Sequence, residues 1–327
     1  MILRALRLAP ACLGLVLSAA LLLPPAVAAA GPVDSAAWRH SGACLVVDTD
    51  VALDDLRAFA VLLPQRTPDV VVVTEGISTV ARGTTAIGMY LGAAERAIPV
   101  IQGDTATAPP NYDWLPPVRA NAERLNGFLA AAVPAMPAPI DVADAVQDAT
   151  RGCAAVDVLA LGPWTSFVHY APRLDGRLKQ VIASGRPLPE TNPDNFNCEY
   201  DRASCAVADA LLRRAHHAVW VDLPTDTSPR PSYAPTPAMV NAFGVAGLPG
   251  VLRTALNLDP SPWLTTRLWD DSAALYLLHP DGFTPHGAHL EPAVDEATLR
   301  NREVQAVNSP EKPWRPWHDA DVAQLLD

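Results

Sequence analysis

The sequence alternates between short apolar runs and longer stretches in which apolar residues recur with a helical period. Short runs rich in β-branched side chains predict strands that are buried on both faces of a sheet. They lie at residues 44–47, 70–73, 99–101, 156–161, 181–184 and 218–221. Because helical stretches separate them, the pattern predicts an α/β fold: a doubly wound, mostly parallel sheet in a Rossmann-like single domain.

The stretches between these strands carry the apolar spacing and the capping residues of helices. Helices are predicted at residues 54–63, 82–94, 141–150, 201–214, 236–243 and 271–278, with a short one after the Gly-Pro pair at 162–163. Residues 103–117 and 186–197 are predicted loops. The last forty-odd residues are rich in proline and poorly periodic. No internal repeat or linker divides the chain, so residues 31–327 are expected to form one domain.

The first thirty residues have the pattern of an export signal. A positive amino end with Arg4 and Arg7 precedes an apolar core, and three alanines follow it up to residue 30. This order predicts a signal peptide over residues 1–30 and an exported protein, periplasmic or extracellular. A membrane anchor is the alternative, but the apolar stretch is short and two prolines interrupt it.

The chain is acidic, with a formal net charge of -11 and only two lysines. It has no basic stripe and no interleaving of basic and aromatic residues, so a nucleic-acid partner is not expected. After residue 30 no segment is long and apolar enough to span a bilayer. The expected partner is a small molecule. The sequence leaves open whether the protein forms a homo-oligomer.

Four cysteines follow the predicted signal peptide, and an even number in an exported protein is compatible with disulfides. Cys198 and Cys205 are close in sequence. Cys44 and Cys153 each precede a predicted strand, so a bond between them can bridge the amino ends of two strands if those strands are neighbours. These two pairings are expected. A zinc site is not, because the spacings match no zinc pattern.

Four aspartates stand at and just after the end of the first predicted strand: Asp48, Asp50, Asp54 and Asp55. Open α/β sheets bind ligands at this edge. Two carboxylates about 4 Å apart repel by roughly 4 kcal/mol at an effective dielectric constant near 20, so the cluster needs protons or a cation. Oxygen ligands favour Ca²⁺ or Mg²⁺. Asp54 and Asp55 could instead only cap the next helix, which leaves Asp48 and Asp50 unexplained.

The aspartates fit two enzyme families. Asp48 and Asp50 have the spacing of the nucleophile motif in phosphatases of the haloacid dehalogenase type, where Asp48 would be the nucleophile. That family places a lysine at the phosphoryl site, and only Lys179 could serve. Ala52 stands where a small hydroxyl or branched residue is expected. This phosphatase is the alternative hypothesis.

Four segments together resemble the inosine-uridine nucleoside hydrolase family. Residues 48–55 resemble its metal motif, and residues 160–165 resemble a turn whose threonine carbonyl binds calcium. Residues 195–197 resemble the loop that binds the ribose, and residues 269–278 resemble the helix that supplies the last calcium carboxylate. Their order and spacing follow the family from residue 44 to about residue 280. This family is the leading hypothesis.

The resemblance implies an exported, calcium-dependent hydrolase that cleaves the N-glycosidic bond of ribonucleosides. The Ca²⁺ ligands it implies are Asp50, Asp55, the carbonyl of Thr165 and Asp270, and Asp50 is also the expected general base. The ribose ligands it implies are Asp54, Asn195 and Asn197. Asp48 is expected to support the site from behind. Such a site activates a water molecule for attack on an oxocarbenium-like sugar.

The base is expected to bind between two tryptophans, Trp114 and Trp269. Trp269 stands where some members have a histidine, which resembles the purine-preferring subgroup. The chain also departs from the family, with Val51 and Ala52 where Pro-Gly or a polar residue is usual and Asn195 where a glutamate is common. A hydrolase-like binding protein that has lost turnover is therefore a third hypothesis.

Overall fold

The computed structural model of the protein describes residues 43–93, 98–126, 140–190, 195–226 and 232–310. All of these residues belong to one compact unit. The predicted signal peptide lies outside the described residues. Across the described ranges, no helix has the length and apolar character needed to cross a membrane.

An eight-stranded sheet runs through the described unit. Its strands are β1 Ala43–Thr49, β2 Val70–Val73, β3 Val100–Gln102, β4 Ala155–Ala160, β5 Leu178–Ser184, β6 His217–Val221, β7 Phe283–His286 and β8 His289–Pro292. The spatial order is β3-β2-β1-β4-β5-β6-β8-β7, and only the β7–β8 pair is antiparallel. The predicted α/β fold with a doubly wound, mostly parallel sheet is confirmed. All six predicted strands are present.

Helices lie between the strands. They are α1 Leu53–Leu62, α2 Val80–Ala93, α3 Leu115–Asn126, α4 Val142–Ala149, α5 Phe167–Tyr170, α6 Phe196–Tyr200, α7 Arg202–Leu212, α8 Pro237–Ala242, α9 Gly247–Leu258, α10 Pro260–Trp263, α11 Trp269–Leu278 and α12 Glu296–Val307. Side chains of β1 alternate between two apolar clusters: Leu45 and Val47 belong to one, and Cys44 and Val46 to the other. This period of two is the one expected for a strand buried on both faces.

Several helix boundaries and two segments differ from the sequence predictions. The predicted loop 103–117 ends earlier, because α3 begins at Leu115. Asn197 was predicted in a loop but lies in α6, and α11 begins at Trp269 rather than at residue 271. The proline-rich carboxyl segment contains a hairpin, β7–β8, followed by α12. The helix α9 was also not predicted.

Both expected disulfides are present. Cys44 and Cys153 are joined with their Cα atoms 5.8 Å apart. The bond lies at the amino ends of β1 and β4, which are parallel neighbours with Cys44 paired to Val156. Cys198 and Cys205 are joined with their Cα atoms 5.2 Å apart, which ties α6 to α7.

Candidate active site

The aspartates are held where β1 gives way to α1. Asp50 follows the last residue of β1, and α1 begins three residues later at Leu53. Between them Val51 has a φ of 52°, in the left-handed region that a β-branched residue rarely adopts. The Ser78 hydroxyl donates to the Val51 carbonyl at 2.8 Å, which helps to hold this turn. Strained backbone of this kind is concentrated at functional sites.

Three buried carboxylates meet at this turn. One oxygen each from Asp54, Asp55 and Asp270 lies within 4.8 Å of the other two, which is close enough to share one metal ion. Asp55 is oriented by the Thr49 hydroxyl and by the Ala52 N–H, which donates at 2.8 Å. Because Asp270 lies in the first turn of α11, two helix amino ends bring their acids together.

Asp50 adjoins this triplet in a narrow slot. The Ile77 N–H donates to its Oδ2 at 2.8 Å. Two glycines line the slot: a Cβ at Gly76 would lie 2.1 Å from Asp50 Oδ2, and one at Gly162 would lie 2.8 Å from the Asp50 nitrogen. The Arg119 side chain donates to the carbonyls of Gly76 and Ile77 at 2.6 and 2.9 Å. The Asp50 carboxylate is therefore fixed on several sides.

Burial and the charges of neighbouring carboxylates raise the pKa of Asp50, Asp54 and Asp270. Burial, followed by the charge of Asp55, raises the pKa of Asp54 to about 8. The same two causes, in the same order, hold the pKa of Asp50 well above its ordinary value. Burial, followed by the charges of Asp54 and Asp55, does so for Asp270. A cation among them would remove this repulsion and keep the acids ionised at neutral pH.

A cavity of about 600 Å³ opens over Asp50, Asp54 and Asp270. Six residues predicted for the site line it: Asp50, Asp54, Trp114, Asn197, Trp269 and Asp270. Sequence reasoning missed the lining residues Ser184, Asn121, Ser261, Thr265 and Thr266, because no local motif marks them, and it did not assign a role to Phe196 within the segment 195–197. The volume falls within the usual range for small-molecule sites, roughly 300–1,000 Å³.

Three aromatic residues line the cavity, Trp114, Phe196 and Trp269. Trp114 is 45% exposed and stacks on Tyr112, with ring centroids 5.2 Å apart. It meets Phe196 edge-on at 5.6 Å. Trp269 lies with its ring 5.5 Å from the guanidinium of Arg267. Two tryptophans and a phenylalanine therefore offer flat apolar surface near the carboxylates.

The two asparagines occupy different positions. Asn197 lines the cavity, and its Nδ2 donates to the carbonyls of Leu161 and Ser184 at 2.6 and 3.4 Å. Asn195 does not line the cavity, although it is buried and lies beside Gly185. Among the described residues, neither side-chain polar atom of Asn195 has a hydrogen-bond partner. A buried amide without partners is costly, so this position is unusual for a residue with a purely structural role.

Thr165 and Asp48 lie behind the cavity rather than in its lining. The Thr165 hydroxyl donates to Asp201 at 2.9 Å, which connects its turn to the start of α7. Asp48 is buried and accepts from Thr74 at 2.5 Å and from Tyr170 at 3.0 Å. Burial raises the pKa of Asp48 to about 7. Lys179, which the phosphatase hypothesis requires, is exposed in the first half of β5, whereas the aspartates follow the carboxyl end of β1.

No protein-family model and no curated protein sequence matches the chain. Solved structures do. An inosine-guanosine nucleoside hydrolase superposes with a TM-score of 0.61 at 15% identity, covering 80% of this chain and 98% of that one. A plant nucleoside hydrolase gives 0.61 at 14% identity, covering 82% and 99%. A purine-preferring ribonucleoside hydrolase from Gardnerella vaginalis gives 0.56 at 15% identity, covering 82% and 99%. The chain therefore has the fold of the nucleoside hydrolases.

Proposed function

We propose that this protein is a ribonucleoside hydrolase that cleaves the N-glycosidic bond with the help of a bound Ca²⁺. The observation that carries the proposal is the triplet of Asp54, Asp55 and Asp270, buried at the end of a cavity with aromatic walls. The triplet lies at the carboxyl edge of a parallel sheet, where folds of this class bind ligands. Proteins named nucleoside hydrolases share the fold over nearly their whole length.

The donor set fits a hard divalent cation. Its side-chain ligands are all carboxylate oxygens. Burial, followed by neighbouring carboxylate charges, raises the pKa of Asp50 and Asp270, so a cation there would favour their ionised forms. Asp50, Asp55, Asp270 and the Thr165 carbonyl are the proposed ligands, and the position of Asp54 in the triplet adds it to the candidates. The chemistry that a cation held there supplies is neutralisation of the carboxylates and a lower pKa for a nearby water.

Asp50 is the proposed general base. Its carboxylate is fixed by the Ile77 N–H and lines the cavity, so it can accept a proton from the attacking water. The water oxygen forms a bond to the anomeric carbon as the bond from that carbon to the base nitrogen breaks, and the electron pair leaves with the base. Asp54 and Asn197, which both line the cavity, are proposed to bind ribose hydroxyls, and Asn195 to support this binding.

The aromatic residues of the cavity favour nucleosides whose nucleobase is a purine. A purine covers more of an aromatic face than a pyrimidine does, so stacking on Trp269 and Trp114 favours it. Export through a signal peptide over residues 1–30 is part of the same proposal, and it rests on the sequence pattern alone. The mature protein, residues 31–327, would then act outside the cytoplasm.

Base release from ribonucleosides by the purified mature protein tests the proposal. The protein is incubated, with Ca²⁺ or with chelator, with inosine, guanosine, uridine and a generic phosphate ester. The release of ribose and of phosphate is measured. We expect ribose release from nucleosides that depends on Ca²⁺, and a loss of about 10²- to 10⁴-fold in Asp50→Asn. The matched control is Asp148→Asn, an exposed acid in α4.

The other hypotheses predict different results. Phosphate release that is lost in Asp48→Asn would support the phosphatase. Nucleoside binding without ribose release would support a binding protein that has lost turnover. Ribose release that is unchanged in Asp50→Asn would show that another residue is the general base.

A further inference from the structure

A fully buried arginine lies directly behind the carboxylate triplet. Arg57 is in α1, two residues after Asp55, and its side chain is 0% exposed. Its Nε and Nη2 donate to the two oxygens of Asp271 at 2.9 Å each, a bidentate pair between α1 and α11. Glu303 of α12, also fully buried, places an oxygen 3.8 Å from Arg57 Nε. Three helices therefore meet at one cation.

Arg57 also binds the backbone that leads into α11. Its Nη2 donates to the carbonyl of Arg267 at 2.9 Å and to that of Thr266 at 3.5 Å. These carbonyls precede Trp269 and Asp270, the candidate base-stacking residue and metal ligand. A planar guanidinium can hold a carboxylate bidentately while it also donates to backbone carbonyls, and an ammonium has no such rigid fork of donors.

Burying the charges of this network costs free energy of desolvation. Replacing a buried ion pair by apolar residues of similar volume is often neutral or stabilising, so a buried pair is weak evidence for stability alone. The geometry gives it another role. Asp54 and Asp55 lie in α1 and Asp270 in α11. Arg57 connects these two helices through Asp271, the residue that follows Asp270.

We propose that Arg57 is a positioning residue, which fixes the first turn of α11 against α1 so that Asp270 and Trp269 face the site. Asp271 and Glu303 are its buried counter-charges. Arg57 does not line the cavity, so its effect acts through the backbone of residues 266–268 and through Asp271. The expected effect of Arg57 on Ca²⁺ affinity rests on the proposed function. Its expected effect on the backbone of residues 266–268 does not.

A charge-free variant separates positioning from charge balance. Arg57→Leu alone would leave two buried acids without a cation, so the triple variant Arg57→Met/Asp271→Leu/Glu303→Met is used. We expect it to fold, because the arginine is removed together with Asp271 and Glu303, its two buried ion-pair partners. We expect its Ca²⁺ affinity to fall by about 10- to 100-fold, as when the outer partners of metal ligands are removed. Amide exchange at residues 267–271 should be faster than in the wild type, with chelator present in both samples.

The matched control removes a different ion pair, between Arg66 and Asp157 of β4. Arg66 and Asp157 pair at 2.5 Å at the amino-terminal part of that strand, and Arg66→Met/Asp157→Leu should leave Ca²⁺ affinity and the exchange of residues 267–271 unchanged. Arg57→Lys keeps the charge but loses the bidentate contact. We expect it to fold and still to bind Ca²⁺ more weakly than the wild type.

The outcomes are distinct. Wild-type Ca²⁺ affinity and wild-type exchange in the triple variant would overturn the positioning role. If the triple variant does not fold, the Ca²⁺ affinity of Arg57→Lys is the test instead. Wild-type Ca²⁺ affinity in Arg57→Lys would overturn the positioning role of Arg57. If the wild type binds no Ca²⁺, the proposed metal fails, and the exchange at residues 267–271 then decides the positioning role by itself.

Discussion

The Asp50 carboxylate depends on the absence of side chains around it. Gly76 and Gly162 leave the space that its oxygens and backbone occupy, and the Ile77 N–H fixes the orientation. The sequence marked Asp50 by its place after a strand. It did not mark Gly76 or Ile77, because their roles follow from a loop that only the fold brings to β1.

Gly76→Ala should disable Asp50 without removing it. The new Cβ would lie 2.1 Å from Asp50 Oδ2, so the carboxylate or the loop must move. Because misplacing a catalytic group by about 1 Å can lower the rate about 10²-fold, we expect a loss of that order in kcat. The control is Gly88→Ala in α2, where the added Cβ meets nothing within 4 Å. Near-normal kcat in Gly76→Ala would contradict the role of Asp50.

Trp269→Ala should weaken activity more for purine than for pyrimidine nucleosides. An aromatic pair contributes about 0.5–1.5 kcal/mol beyond area burial, which corresponds to roughly 2- to 13-fold in kcat/KM for a stacked purine. Steady-state kinetics with inosine, guanosine and uridine give the comparison, and uridine is the internal control. Equal losses for all three nucleosides would show that Trp269 only packs against Arg267.

At the scale of elements, the disulfide between β1 and β4 closes a much larger loop than the one between α6 and α7. The sequence separations are 109 and 7 residues. In the chain-entropy model these loops correspond to about 5 and about 2 kcal/mol, so removing the first should cost more. Cys44→Ser/Cys153→Ser and Cys198→Ser/Cys205→Ser are compared by urea unfolding. A larger loss for the second pair would contradict this ranking.

The parallel core was predictable from the sequence and the carboxyl segment was not. Strand β2 is a continuous apolar run, and β1 and β4 are apolar apart from Asp48 and Thr49 at the end of β1 and Asp157 in β4, as is typical of buried parallel strands. The hairpin β7–β8 contains Pro285 and Pro292 and is the edge of the sheet, where proline is tolerated but gives no strand signal. Its attachment to the sheet is one pairing of Val221 with Leu290, so tertiary contacts rather than local pattern determine it.

At the scale of the whole molecule, the acids of the site were predictable and their surroundings were not. Strand ends and helix starts identified Asp50, Asp54, Asp55 and Asp270 because parallel strands end at one edge of a sheet. The cavity walls come from α3 and α10, which contact that edge only after folding. The partner of Arg57 is 214 residues away, a separation at which no local period is informative.

Calcium should stabilise the whole fold, because the acids of two distant segments must be brought together before they can bind it. At a Ca²⁺ concentration 100 times the Kd, the stability should rise by about 2.7 kcal/mol, which for a domain of this size raises the Tm by roughly 5–10 °C. Thermal unfolding with Ca²⁺ and with chelator measures this. In Asp270→Asn the difference should shrink, because one ligand is neutral, while in Asp148→Asn it should persist. Equal Tm values for the wild type in Ca²⁺ and in chelator would exclude a metal in the triplet and leave its carboxylates to be neutralised by protons.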